Sequence, residues 1–514
     1  MHDSSSHSAG ALPISRILAF AAAYVLAWTL LPAWLSQSFA LDVAESLSWG
    51  QEWQWGYYKH PPLAPIVLNG FYMLFGEYGP YLLSQLCIAL TLWMVWRTGL
   101  RLMDRQRALI GTVLTMGVAY YNFPAIEFNH NIAQMPLWAA LGYVCLAALQ
   151  DGKLRQWVLL GVLAGLSLLT KYSMGVILLT LGLYLLCSAQ HRRCLLRPGP
   201  WVAVALMLAI FAPHALWLQD TQGLPFTYAS ERAMAQGGNA RLEALGFPVT
   251  QLLAHLPLLL VLAWAVWRTR GQRQSSSSAV RPYLHTASPT FLLVLTLLPG
   301  AIVTLLGVGL GLRLRDMWGS PMWAFSGLLV AACISDVRLT AMRPKLLRGM
   351  AVWLVLVTLF MMVYMSFGAQ LRKRAARVDW PAHAIAQQAA QTWQAYAGHC
   401  ALDTVAGNYW LAGLVSAYAP SRPSVLIDGN PAYSPWVDAQ RLQQHGALWI
   451  WQPSAAAEQA APPAPLAQVG ATPALQQHEG QWQIAWPFAP SQAPLTLHWR
   501  VYVPQACVHE SSGQ

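Results

Sequence analysis

The residues able to do chemistry cluster early in the chain. Between Leu41 and Leu63 stand Asp42, Glu45 and Glu52, with Lys59, His60 and five aromatics, Trp49, Trp53, Trp55, Tyr57 and Tyr58. A second polar group, Glu127-Phe128-Asn129-His130-Asn131, follows, and single cations stand out at Lys171, Arg313 and Arg315. A positioned carboxylate can take a proton from a hydroxyl. Three of them, Asp42, Glu45 and Glu127, could together hold a hard divalent cation through oxygen. Each feature also has a plainer reading. Asp42-x-x-Glu45 is the spacing of a helix capping box, and Trp and Tyr gather wherever a chain meets a membrane surface. Spacing favours no transition-metal site, since neither CxxC nor HxxxH occurs.

What must position these residues is a membrane domain. Of the 514 residues, 56% are hydrophobic and 10% charged, whereas a soluble domain carries roughly 25% charged. Apolar runs recur near 16–36, 80–100, 108–124, 134–149, 157–170, 174–188, 201–218, 248–267, 289–308, 320–335 and 349–368, which predicts about 11 transmembrane helices over residues 1–368. The first run is too long, and lacks the small-residue cleavage site, of a signal peptide, so it reads as an anchor.

The net charge of +11 does not point to nucleic acid. From residue 369 onward seven basic residues balance seven acids, so the excess belongs to the membrane part. With the N-terminus in the cytoplasm, 18 Lys and Arg fall on inner connections and 10 outside, counting the four at 372–377. The positive-inside rule favours that orientation. It puts the Leu41–Leu63 segment, Glu127, Lys171, Arg313, Arg315 and the C-terminus on the outer face of the membrane. Arg268 to Ser288, rich in serine and arginine, reads as a polar cytoplasmic loop. No repeat of 20–50 residues and no pair of interrupted helices of the inverted-repeat transporter type is visible.

Residues 369–514 read as a small soluble α/β domain. Val425-Leu426-Ile427, Ala447–Trp451 and Leu495–Val503 have strand patterns, residues 383–398 and 408–418 look helical, and 453–466 is an Ala/Pro-rich loop. Cys400 and Cys507 are the two cysteines of this part, in a compartment that permits disulfides, and are expected to pair.

The first outer segment resembles that of the membrane GT-C glycosyltransferases, above all the protein O-mannosyltransferase-like and lipid A aminoarabinose transferase-like enzymes. Asp42 stands 19 residues before Pro61 of Gly56-Tyr57-Tyr58-Lys59-His60-Pro61-Pro62. In those families an acidic pair opens the loop and a Tyr-Tyr-x-(His/Lys)-Pro-Pro segment follows. The second acid is replaced here by Val43, and Glu45, one helical turn on, could supply it. Gly165-Leu166-Ser167-Leu168-Leu169-Thr170-Lys171 and Arg313-Leu314-Arg315-Asp316-Met317-Trp318-Gly319-Ser320-Pro321 are similar to further segments of the class. Val405–Trp410 and Asp428–Trp436 look like parts of its bacterial members, with no role attached.

The resemblance implies a GT-C fold and transfer of a hexosyl or pentosyl group, with inversion, from a polyprenyl-phosphate-linked sugar donor in the bilayer. The acceptor would be an extracytoplasmic lipid such as lipid A, a glycan or a protein. Asp42 would be the general base, with Glu45 and Glu127 as supporting acids or metal ligands; no cofactor is required beyond a possible divalent metal. A phosphate leaving group needs cationic stabilisation, for which Lys59, His60, Lys171, Arg313 and Arg315, with Tyr57 and Tyr58 beside them, are the candidates. The rival readings are a flippase or transporter of a lipid-linked sugar and a non-catalytic envelope glycan assembly protein. Paired charges deep inside the spans would favour transport, and almost none are present.

Overall fold

The computed structural model describes residues 14–234, 239–270, 288–372, 375–453, 462–471, 475–487 and 492–508. Most of the proposed cytoplasmic loop, and residues 454–461 of the Ala/Pro-rich loop, lie outside them.

Among the described residues, the membrane part is built of helices joined by turns and loops. Its helices are α1 (Ile14–Leu35), α2 (Leu41–Gly50), α3 (Leu63–Phe75), α4 (Gly79–Leu102), α5 (Arg105–Thr115), α6 (His130–Asp151), α7 (Leu154–Leu168), α8 (Gly175–Cys187), α9 (Pro198–Asp220), α10 (Leu224–Met234), α11 (Ala240–Ala244), α12 (Phe247–Ala254), α13 (Leu256–Thr269), α14 (Ser288–Leu310), α15 (Ser326–Cys333) and α16 (Asp336–Leu371). Long apolar helices here are sorted by what they pack against rather than by polarity. On α16, Met350, Leu354, Val357, Met361 and Met365 recur every three or four residues and are buried, while Val355, Leu356, Leu359, Phe360 and Val363 face outward.

Among the described residues, six helices are long and apolar enough to cross a membrane, or seven if Ala240–Ala254 (α11 and α12) and Leu256–Thr269 (α13), bent by 46°, count as one. Four of the eleven predicted spans rest on helices too short to qualify: 157–170 and 174–188 hold α7 and α8, of 15 and 13 residues, and the other two are shorter still. The run at 108–124 is helical only to Thr115 and continues as 3₁₀ turns through Asn122 and Pro124; the run at 320–335 holds the eight-residue α15. At 1.5 Å per residue these helices reach about 17 and 12 Å, short of a roughly 30 Å hydrocarbon core. They are apolar because they are buried in protein. A Cβ at Gly327 would lie 2.1 Å from the Gly111 carbonyl oxygen, so α5 and α15 touch backbone to backbone. Arg107, fully buried at the start of α5, donates to the carbonyls of Ala331 and Ile334 and pairs with Asp336, which ties both short helices to α16.

The C-terminal domain, the outer domain of the expected orientation, carries a five-stranded sheet of β1 (Thr404–Gly407), β2 (Ser424–Ile427), β3 (Ala447–Trp451), β4 (Leu475–Ile484) and β5 (Leu495–Pro504), in the order β2-β1-β3-β5-β4. β1 runs parallel to both β2 and β3, while β3–β5 and β5–β4 are antiparallel. Helices α17 (Ala382–Ala397), α18 (Leu411–Tyr418) and α19 (Ala439–His445) accompany the sheet, and a disulfide joins Cys400 to Cys507. The domain packs against the membrane helices. Trp49, Tyr57 and Tyr58 share one buried cluster with Ile385, Leu411, Val425 and Leu448. α18 lies on α2 at Gly413, where a Cβ would come within 3.1 Å of the Ala44 carbonyl oxygen. Tyr72 of α3 donates to the Ala417 carbonyl at 2.6 Å, and Arg422 to Asn69 at 2.9 Å.

Candidate active site

The first outer segment is built on α2 and a tight turn. α2 begins after Ala40, and no side chain caps it. The capping-box reading of Asp42 and Glu45 is therefore not realised. Asp42 sits in the first turn, where the helix dipole favours an anion. It is half-buried, and among the described residues no side chain or backbone N–H donates to its carboxylate. Glu45, one turn on, is buried and accepts the Tyr58 hydroxyl at 2.9 Å and the Lys59 ammonium at 2.6 Å. The turn that delivers Tyr58 and Lys59 is closed by Tyr57 N–H to the His60 carbonyl at 2.9 Å and the reciprocal bond at 3.2 Å. Tyr57 is structural: its ring stacks on Trp49 at 5.3 Å and its hydroxyl donates to the Glu52 carbonyl at 2.8 Å. Gly56, just before, leaves no room for a side chain, since a Cβ would lie 2.4 Å from the Trp217 ring.

Two more elements close on this segment. Asn129 caps α6 by accepting the N–H groups of Asn131 and Ile132 at 2.8 and 3.2 Å, which presents His130 and Asn131 to the site. The His130 ring lies 3.9 Å from that of His60, centroid to centroid. Lys171, in the turn after α7, donates to the Asn131 side-chain oxygen. The Leu63 N–H bonds the Leu169 carbonyl at 2.9 Å and pins that turn to the first segment. Glu127 lies within electrostatic reach of Asp42 and of Arg377, in the connector to the outer domain.

These groups set one another's charge. Burial raises the Glu45 carboxyl to about 7, against the pull of Lys59. Burial likewise raises Glu127 to about 7, and Asp42 adds to the effect. Withdrawal from water lowers Lys171 to about 8, with Asp42 partly offsetting it. His60 is pushed well below its usual range by burial, then by His130, Lys171 and Lys59, so it is a neutral imidazole. Asp42 thus lies within electrostatic reach of two carboxyls and one ammonium.

The structure brings together Asp42, Glu45, Glu127, Tyr57, Tyr58, Lys59, His60 and Lys171. It does not bring Arg313 or Arg315 to them. Arg313 pairs with Glu243 of α11 at 3.0 Å, and Arg315 is exposed, with neither touching the cluster. A sequence argument from sidedness alone cannot separate a cation in the site from one at a helix end. Nor do the three acids converge as metal ligands. Glu45 is engaged by Lys59 and Tyr58, and among the described residues no group of three or more His, Cys, Asp or Glu is arranged to hold a metal ion. Residues given no individual role from sequence are His130 and Asn131, named only within the Glu127–Asn131 group, Arg377, and Tyr409 and Asp428 of the outer domain. The loop motifs containing Tyr409 and Asp428 were visible, but nothing local ties them to Lys59.

Comparisons with known proteins give the fold and partial sequence matches. The model of the dolichyl-phosphate-mannose-protein mannosyltransferase family matches residues 59–217, which include Lys59, Glu127 and Lys171. Among solved structures, ArnT of Cupriavidus metallidurans bound to undecaprenyl phosphate superposes with a TM-score of 0.61 at 13% identity, covering 95% of this chain and 98% of that one. Its apo form gives 0.60 at 14% identity, covering 94% and 98%. This chain has the GT-C membrane glycosyltransferase fold, as the first outer loop implied. The lipopolysaccharide core galacturonosyltransferase RgtB of Rhizobium johnstonii is 26% identical over 324 residues, 60% of this chain and 63% of RgtB, so the match spans under two thirds of that relative.

Proposed function

We propose that the protein transfers a sugar from a polyprenyl-phosphate donor to a hydroxyl of a lipid-borne glycan, in the periplasmic leaflet of a bacterial inner membrane. The observation that carries this reading is Asp42. Among the described carboxylates of the cluster, Glu45 is engaged by Tyr58 and Lys59, while Asp42 is half-buried, accepts no hydrogen bond among the described residues and lies within electrostatic reach of the Lys171 ammonium. In the reaction the Asp42 carboxylate takes the acceptor hydroxyl proton as that oxygen bonds the anomeric carbon from the face opposite the phosphate. The C–O bond to phosphate breaks with its electron pair, polyprenyl phosphate leaves, and the anomeric configuration inverts. Lys59 and Lys171 meet the charge on the departing phosphate. The proton leaves Asp42 to water. Glu127 and Glu45 set the field around the base rather than reacting.

The undecaprenyl phosphate held by ArnT supports the donor class, and the lipopolysaccharide core named for RgtB supports a lipid-borne acceptor. The orientation, with the N-terminus in the cytoplasm and the site outside, rests on the charge asymmetry of the connections. Mass spectrometry of envelope lipids from cells with and without the protein tests the whole reading. A sugar-sized mass increment that depends on the protein is expected; identical lipid profiles would refute it.

A further inference from the structure

The outer domain reaches into the site through the ends of its parallel strands. From β1 the chain crosses to β2 on one side and then to β3 on the other. The carboxyl end of such a strand is where open α/β sheets form their ligand crevice. Here that end faces the first outer segment of the membrane domain. Tyr409, two residues past β1, sets its ring face 3.9 Å from the Lys59 ammonium. Tyr58 and Tyr228 of α10 supply further faces at 4.9 and 5.3 Å. Asp428, directly after β2 and in left-handed backbone at φ 50°, accepts the Tyr409 backbone N–H and lies within electrostatic reach of Lys59. Tyr433 stacks on Tyr58 at 4.1 Å, which holds that wall of the enclosure in place.

Lys59 has three N–H donors on a flexible stem. Glu45 takes one, and the ring centroids of Tyr409, Tyr58 and Tyr228 lie 3.9, 4.9 and 5.3 Å from the ammonium. We propose that Tyr409 is a positioning residue: through its ring the outer domain fixes the Lys59 ammonium that receives the donor phosphate. The proposal rests on the reading that Lys59 meets that phosphate. It gives the outer domain a part in donor binding, although it lies some 350 residues along the chain from Lys59. A cation held over an aromatic face gains enough for its loss to weaken binding about 2- to 30-fold.

The test is binding of undecaprenyl phosphate to the full-length protein in detergent, for Tyr409→Leu, Tyr409→Phe, Lys59→Met and the Lys59→Met/Tyr409→Leu double variant. Tyr409→Leu is expected to weaken Kd about 2- to 30-fold, and Tyr409→Phe, which keeps the ring, to stay within about twofold of the parent. Lys59→Met is expected to weaken binding, and adding Tyr409→Leu to it should cost nothing more, because the ring acts through the ammonium. Should Tyr409→Leu not accumulate as folded protein, Tyr409→Met removes the ring at a closer volume and gives the same readout. Parental binding by the leucine or methionine variant, or an undiminished loss in the Lys59→Met background, would overturn the role of Tyr409. Parental binding by Lys59→Met itself would instead remove Lys59 from the phosphate site.

Discussion

Lys171 makes the site sensitive to alkaline pH, and the size of the effect follows from its surroundings. Its ammonium is held by a neutral amide, Asn131, and loses hydration, so its pKa falls to about 8. The form that binds phosphate is the cation, which is lost as pH rises through that value. With a pKa near 8, about nine tenths of Lys171 is charged at pH 7 and about one tenth at pH 9, so kcat/KM for the lipid donor should fall roughly tenfold over that interval. Lys171→Arg keeps its charge over the whole range and should flatten this limb. Lys171→Met should begin about 10- to 150-fold lower, by loss of a charge-assisted hydrogen bond, and show no limb of its own. The assay is kcat/KM against pH between 6 and 9.5 for the three proteins. An alkaline limb of unchanged position and depth in both variants would refute the assignment of phosphate binding to Lys171.

Further outcomes follow from the same contacts. Glu127, raised to about 7, is protonated as pH falls through that value; if its charge supports the base, kcat/KM should decline below pH 7 and Glu127→Gln should lose that dependence, read from the same profile. The Glu45 and Lys59 side chains are 5% and 9% exposed, so Glu45→Leu strands a buried ammonium and should cost about 3–5 kcal/mol, seen as a lowered melting temperature in detergent, with Glu45→Gln milder. The Cys400–Cys507 bridge spans 107 residues; its removal by paired serine replacement should cost up to about 4–5 kcal/mol and expose the outer domain to limited proteolysis.

Much of the site was legible because it is local. Asp42, Glu45, Lys59 and His60 lie within one turn-and-helix segment, and the positive-inside bias picked out Lys171. The structure corrected that picture where a residue's partner lies far along the chain. Tyr409 lies against Lys59, Asp428 within its electrostatic reach, and Arg377 within that of Glu127, pairings that no periodicity can encode. Hydropathy likewise cannot tell lipid from a protein interior, which is why the runs at 108–124 and 320–335 read as spans although their helices pack on one another. In the outer domain, β2 and β5 were evident from apolar runs and alternation. β4 was missed because Leu475-Gln476-Gln477-His478-Glu479-Gly480-Gln481-Trp482-Gln483-Ile484 is mostly polar. It is a strand by its pairing along the whole length of β5. Helix α3 was missed because Pro61-Pro62 reads as a break, whereas it opens the helix.

Asp42 is the most direct point of test. Because no side chain caps α2, Asp42→Asn keeps size and shape and removes only the carboxylate's charge and basicity. The measurement is the amount of sugar-modified envelope lipid, by mass spectrometry, in cells making the variant at the parental membrane level. Loss of a positioned base should lower product formation by about a hundredfold or more while the protein remains folded and inserted. Modified lipid accumulating at the parental rate with Asn at position 42 would contradict the assignment of the base and the mechanism built on it.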